Sequence, residues 1–222
     1  MRIQALLQSA LGLALLFAGL FVSAGSWNWM AGRWCMRSLG MAWSVGALSL
    51  FLYNRKLFFR RTQAGQGSQH WDRGLVSLMQ LSFLLLFVVG GLDTGRQNMP
   101  IFWPLFAAGL LLLWSGLAVI MACLFANPFF ETTVRHQECC GQYVVQRGVY
   151  GWLRHPGYLG FLLVALAIPT MLGSLWATLP WLSLAMLLRL RVEMEEVYLC
   201  EHLPGYQDYC ARVPHRMIPF LW

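Results

Sequence analysis

Six stretches of the chain are almost continuously apolar: residues 4–23, 36–53, 74–92, 100–125, 157–172 and 174–190. A helix rising about 1.5 Å per residue needs roughly 20 such residues to cross the hydrocarbon core of a bilayer. The first four stretches therefore read as transmembrane helices. The last two are shorter, are separated only by Gly173-Ser174 and lie close to Pro169, so they read as one tight helical hairpin that need not cross the bilayer twice. The pattern predicts an all-α, polytopic membrane helical bundle with five to six transmembrane segments.

The polar positions divide the chain at about residue 125. Segment 1–125 is transmembrane helices joined by the basic loop NRKLFFRRTQAGQGSQHWDR and the short loop DTGRQNM. Trp27, Trp29, Trp34, Trp71 and Trp103 stand near segment ends, where amphipathic rings favour the membrane interface. Segment 126–222 opens with NPFFETTVRHQECCGQYVVQRGVYGWLRHP, too polar and irregular for a lipid-exposed span. Alternation in Thr132–Val134 and Tyr143–Val145 predicts a small β-hairpin around Glu138-Cys139-Cys140-Gly141. After the apolar hairpin, charge returns in LRLRVEMEEVYLCEHLPGYQDYCARVPHRMIPFLW.

Composition agrees, with 58% hydrophobic residues, 11% charged and a mean hydropathy of +0.55. Thirteen of the 16 Lys and Arg fall on one side of the predicted spans, and only Arg33, Arg37 and Arg96 on the other. The positive-inside rule makes the richer side cytoplasmic, with both termini there, in the inner membrane of a bacterium. The net charge of +7 is then a topology signal and an attraction to the bilayer. No basic stripe with interleaved aromatics points to nucleic acid. Residues 1–24 also fit a cleaved signal peptide ending in Val22-Ser23-Ala24. Cys139, Cys140, Cys200 and Cys210 fall on the reducing side, which argues against a disulfide framework. His70, His136, His202 and His215 match no metal-ligand spacing.

The chemistry concentrates at two places. Pro156 suits the first position of a helix and pushes His155 out of helical geometry, so an apolar helix should begin there. Its first N–H groups face an anion, with Gly157 and Gly160 keeping the turn slim; snorkelling of Arg154 and His155 to water is the other reading of this fragment. Glu193, Glu195, Glu196 and Glu201 fall late in a helix that should stop before Pro204-Gly205. Acids there oppose the helix dipole, and carboxylates at a membrane boundary are functional candidates. A donor-rich helix start, carboxylates for hydroxyls or an ammonium, and aromatic faces for a cation together suit S-adenosylmethionine.

Gly148-Val149-Tyr150…Arg154-His155-Pro156-Gly157-Tyr158-Leu159-Gly160, followed by Glu195-Glu196, resembles the isoprenylcysteine carboxyl methyltransferase family, itself similar to the phospholipid N-methyltransferases, over about residues 115–222. The resemblance implies a cytoplasmic S-adenosyl-L-methionine pocket near the C-terminus with contacts from Tyr150, Arg154, His155, Pro156, Tyr158, Gly160, Glu195 and Glu196. It implies that Arg191 or Arg189 orients the reacting group. Val149 stands where the family commonly has proline. The substrate, lipophilic or small, is open among carboxylate, amine and thiol, and the oligomeric state is open as well. Two other readings stand beside this one. Tyr209–Arg216 is similar to the C-terminal end of the NADPH-dependent membrane sterol reductases, and a non-enzymatic membrane scaffold would use the polar half to recruit a partner.

Overall fold

A computed structural model describes residues 2–61, 69–131, 133–134, 141–219 and 222. Its helices are α1 (Arg2–Ala24), α2 (Met30–Tyr53), α3 (Arg55–Arg61), α4 (His70–Gly90), α5 (Trp103–Ala126), α6 (Pro156–Leu172), α7 (Thr178–His202) and α8 (Tyr206–Arg212). A π turn, Gly91–Gly95, extends α4, and a 3-10 turn, Gly148–Gly151, precedes α6. Three helical stretches, Met30–Tyr53, His70–Gly95 and Trp103–Ala126, are long and apolar enough to cross a membrane; Leu11–Ala24 and Pro156–Leu172 are shorter apolar helices.

Local chemistry fixes the ends that matter. Pro156 occupies the first turn of α6, where its missing N–H costs nothing. Gly173 closes the same helix in the left-handed conformation (φ 67°), and the Ser174 N–H donates to the Pro169 carbonyl at 2.9 Å. Five residues later α7 starts and runs well beyond the apolar stretch, ending ahead of Pro204-Gly205.

Among the described residues, helices α5 and α6 share the most extensive contact of the bundle. A Cβ on Gly116 would stand 2.6 Å from the Gly160 carbonyl oxygen, and one on Gly160 would stand 2.8 Å from the Gly116 carbonyl. Small residues let two backbones touch in this way where lipid offers no competing hydrophobic drive. Gly160 is thus a helix-packing residue and lines neither cleft described below. At the far end, Gly91 packs against Leu20 and Ser23 of α1. Trp29 also departs from expectation: it is fully buried, and its indole N–H donates to the Met99 carbonyl at 3.1 Å, whereas Trp27 and Trp103 are exposed.

The predicted β-hairpin is not formed by its described residues: 133–134 and 141–147 are irregular, and its tip, with Cys139 and Cys140, lies outside the described residues. The apolar alternation has another cause. Val134 is buried with its N–H on a side-chain carboxylate, and Val145 is buried against Cys123 and Tyr150.

Candidate active site

The two polar ends of the sequence meet where α6 begins and α7 leaves the apolar core. Tyr158, in the first turn of α6, donates its hydroxyl to Glu195 Oε2 at 2.5 Å. The His155 ring stacks on Tyr158 with centroids 5.7 Å apart and planes 5° apart. Its Nδ1 is 3.9 Å from Glu195 Oε2, and its Nε2 is 3.3 Å from Glu196 Oε1. The backbone N–H groups of Arg154 and His155 donate to the carbonyls of His215 and Arg216, at 3.0 and 2.7 Å. The chain's last residues therefore strap the corner, and Tyr158 turns its own N–H onto the His155 carbonyl at 3.2 Å.

Consecutive glutamates on α7 point about 100° apart and do different things. Glu195 lines the polar cleft; Glu196 does not and is the anion held between two guanidinium groups beside the His155 ring. Arg154 grips it with Nε at 2.6 Å and Nη2 at 3.1 Å, and Arg216 Nε stands 2.8 Å away. The remaining guanidinium nitrogen of Arg154 donates to the carbonyls of Val213 at 2.8 Å and of Cys210 and Pro214 at 3.3 Å. A planar five-donor fork fits such a junction, as a lysine would not. Burial alone would raise the Glu196 carboxyl, but hydrogen bonds and charges from His155 and Arg154 outweigh it and hold it at about 2.

Because that value lies below the ordinary 4.5, the stability contributed by Glu196 is present above about pH 4.5 and is lost as pH falls toward 2. Glu196→Gln is expected to unfold at lower temperature than the parent near neutral pH, with the gap closing across that window. A gap constant with pH in thermal unfolding of the detergent-solubilised protein would show that the carboxylate is not what the cations hold.

Two clefts adjoin at this corner. The polar one holds about 860 Å³ of empty space, its open mouth included, and is lined among others by Tyr150, Arg154, His155, Tyr158, Glu195 and Tyr206. The second, about 1720 Å³ on the same measure, is an apolar groove whose walls include Leu11 and Leu15 of α1 and Met79 and Phe83 of α4. Phe130, Glu131, Gly157, Tyr158 and Arg191 line both. Pro156 lines neither and serves to start the helix.

Arg189 and Arg191 separate sharply. Two positions on a helix are about 200° apart, and Arg189 lies exposed against Glu193 at 3.2 Å, away from both clefts. Arg191 is buried at the junction, its Nε 2.8 Å from Asp72 Oδ1 and its guanidinium 5.3 Å from the Tyr158 ring centroid. Asp72 is fully buried, and its other oxygen accepts the Val134 N–H at 2.8 Å. Sequence reasoning missed Asp72. Its one signal is that it is the first acid in the chain, inside a strongly basic loop. Arg61 was also missed: it lines the groove, donates to the Phe130 carbonyl at 2.8 Å and lies over the Phe130 ring. Tyr206 was the third, with a buried hydroxyl that has no hydrogen-bond partner among the described residues.

Known proteins carry the same arrangement of sequence. Residues 107–201 match the model of the isoprenylcysteine carboxyl methyltransferase family. The protein-S-isoprenylcysteine O-methyltransferase of Mus musculus is 30% identical over 194 residues, 81% of this chain and 65% of that protein. For the Homo sapiens protein of the same name the identity is also 30%, over 81% of this chain and 64% of the relative. The chain thus spans just under two thirds of the length of these relatives. Delta(14)-sterol reductase of Mus musculus is 35% identical over 88 residues, 37% of this chain but 20% of the reductase. The stretch that is similar to the isoprenylcysteine carboxyl methyltransferase family, residues 107–201, supplies most of α5, the corner at Arg154–Tyr158 and the acids of α7.

Proposed function

We propose that this chain is an integral membrane methyltransferase that binds S-adenosylmethionine in the polar cleft and methylates a lipophilic or small substrate delivered along the apolar groove. The observation that carries this reading is the junction of the two clefts at Tyr158 and Arg191: a water-soluble donor and a greasy acceptor can approach one point from different phases. In this reading α1, α2, α4, α5 and the α6–α7 hairpin are the five to six membrane segments, and the clefts open on the cytoplasmic side that the cation count selects.

The cleft's donor set suits that cofactor. Glu195 offers a carboxylate to an ammonium or to ribose hydroxyls, the Tyr206 hydroxyl is buried and unmatched, and aromatic faces stand ready for a cation. When bound, S-adenosylmethionine supplies a methyl group on a positively charged sulfur. Arg191, fixed by Asp72 and by the Tyr158 ring, holds an anionic acceptor in line; Arg61 stands at the same groove as a second cation. With the donor held beside Glu195 and Tyr206, Arg191 would aim a carboxylate oxygen at the methyl carbon, and transfer would leave the sulfur neutral and require no proton. The His155 ring stacked on Tyr158 walls one side of the junction, and filling both clefts would displace water from between the opposite charges.

Equilibrium binding of S-adenosylmethionine to purified protein tests this. Glu195→Gln should weaken affinity about 10- to 100-fold, the worth of a hydrogen bond to a charged group. Unchanged affinity in the Glu195→Gln, His155→Ala double variant would dismiss the site. The partial likeness to a sterol reductase favours one other reading, under which NADPH binds in place of the methyl donor. With labelled donor and enriched membranes, base-labile label identifies an ester, and so a carboxylate acceptor.

A further inference from the structure

Among the described residues, the hydroxyl of Tyr206 is the one buried side-chain oxygen or nitrogen without a hydrogen-bond partner. The residue is 4% exposed, its ring is packed with Leu203, Tyr209 and Val213, and it lines the polar cleft together with Glu195 and Arg154. Its neighbour on α8 makes the contrast. Tyr209, with ring centroid 5.7 Å away, donates its hydroxyl to the Tyr150 carbonyl at 2.7 Å, a structural bond. A phenylalanine at 206 would fill the same space without the desolvation that an unmatched hydroxyl suffers. Burial, and then the nearby Glu195 and Glu196, push the Tyr206 phenol well up, so it stays an O–H donor.

Resting on the cofactor assignment above, we propose that Tyr206 is a cofactor-binding residue whose hydroxyl donates a hydrogen bond to an uncharged acceptor on the nucleoside part, a ribose oxygen or a ring nitrogen. The neighbouring carboxylates decide which part. A ligand carboxylate would be repelled by Glu195 and Glu196, and the cation that might offset them, Arg154, is already bound to Glu196 and to tail carbonyls. A sulfonium offers no acceptor at all. The nucleoside is what remains.

The test uses the full chain in detergent, with Tyr206→Phe compared with the parent and with Tyr209→Phe. Thermal unfolding of the free protein should be unchanged or raised in Tyr206→Phe, and lowered in Tyr209→Phe, which strands a carbonyl. S-adenosylhomocysteine and adenosine should each bind Tyr206→Phe about 3- to 10-fold more weakly, the range of one neutral hydrogen bond. Methionine should compete equally in both. Equal affinity for S-adenosylhomocysteine in variant and parent overturns the proposal, as does a lowered unfolding temperature of free Tyr206→Phe, which would mean that bound water already satisfies the hydroxyl. Parent protein that binds no S-adenosylhomocysteine sinks the cofactor assignment itself, an outcome distinct from a failure seen only in the variant.

Discussion

Asp72→Leu is expected to destabilise the protein by about 3–5 kcal/mol, the usual consequence of removing one partner from a buried ion pair. Asp72 is wholly buried and its two oxygens are both engaged, one by Arg191 Nε at 2.8 Å and one by the Val134 N–H at 2.8 Å. Leucine takes from the buried guanidinium the carboxylate that binds its Nε and leaves the Val134 N–H without its acceptor. The pair itself need not stabilise the fold, because bringing both charges out of water costs about as much as their attraction returns. The Asp72→Leu, Arg191→Leu double variant should therefore recover most of the loss while remaining inactive. Unfolding in detergent for the four proteins of this cycle measures the coupling. Additive losses would mean that the two side chains are independently solvated.

Gly160→Ala is expected to cost about 1–3 kcal/mol and, unlike most packing changes, to weaken cofactor binding as well. The added Cβ would meet the Gly116 carbonyl oxygen at 2.8 Å and the Ile120 N at 3.2 Å. Both are backbone atoms, so no rotamer relieves the clash and α6 must move off α5. The first turn of α6 carries His155 and Tyr158 to their glutamates, and that displacement opens distances on which the cleft depends. Gly40→Ala in α2 is the control: nothing lies within 4 Å of its Cβ, and alanine in an exposed helix should stabilise by about 1 kcal/mol. If both substitutions behave alike, the α5–α6 contact is looser than its geometry.

The elements that sequence made legible are those with local causes. Pro156 opens α6, Pro204-Gly205 follows the end of α7, and Gly173-Ser174 turns the hairpin, because each is set by the backbone chemistry of two or three residues. Long-range partners were not legible. Asp72 lies in the first turn of α4, where an acid already has a sufficient reason to be, complementing the helix dipole. Nothing local points to Arg191, 119 residues away. Gly160 shows a different limit: a glycine announces a close approach of backbone, but not whether ligand or another helix approaches. The two arginines were a lapse of geometry more than of information, since helical periodicity alone places Arg189 and Arg191 on opposite faces. The apolar alternation near Val134 misled because a valine buried by a loop resting on a carboxylate repeats the pattern of a strand.

The carbonyls of residues 213–216 that receive Arg154 and the N–H of His155 come from beyond the matched stretch, which ends at residue 201. An Arg-His-Pro signature is accordingly only half of a lock, the other half being written in whatever tail folds back over it. Two proteins spelling the same letters at that corner can then shape different hollows wherever their tails differ.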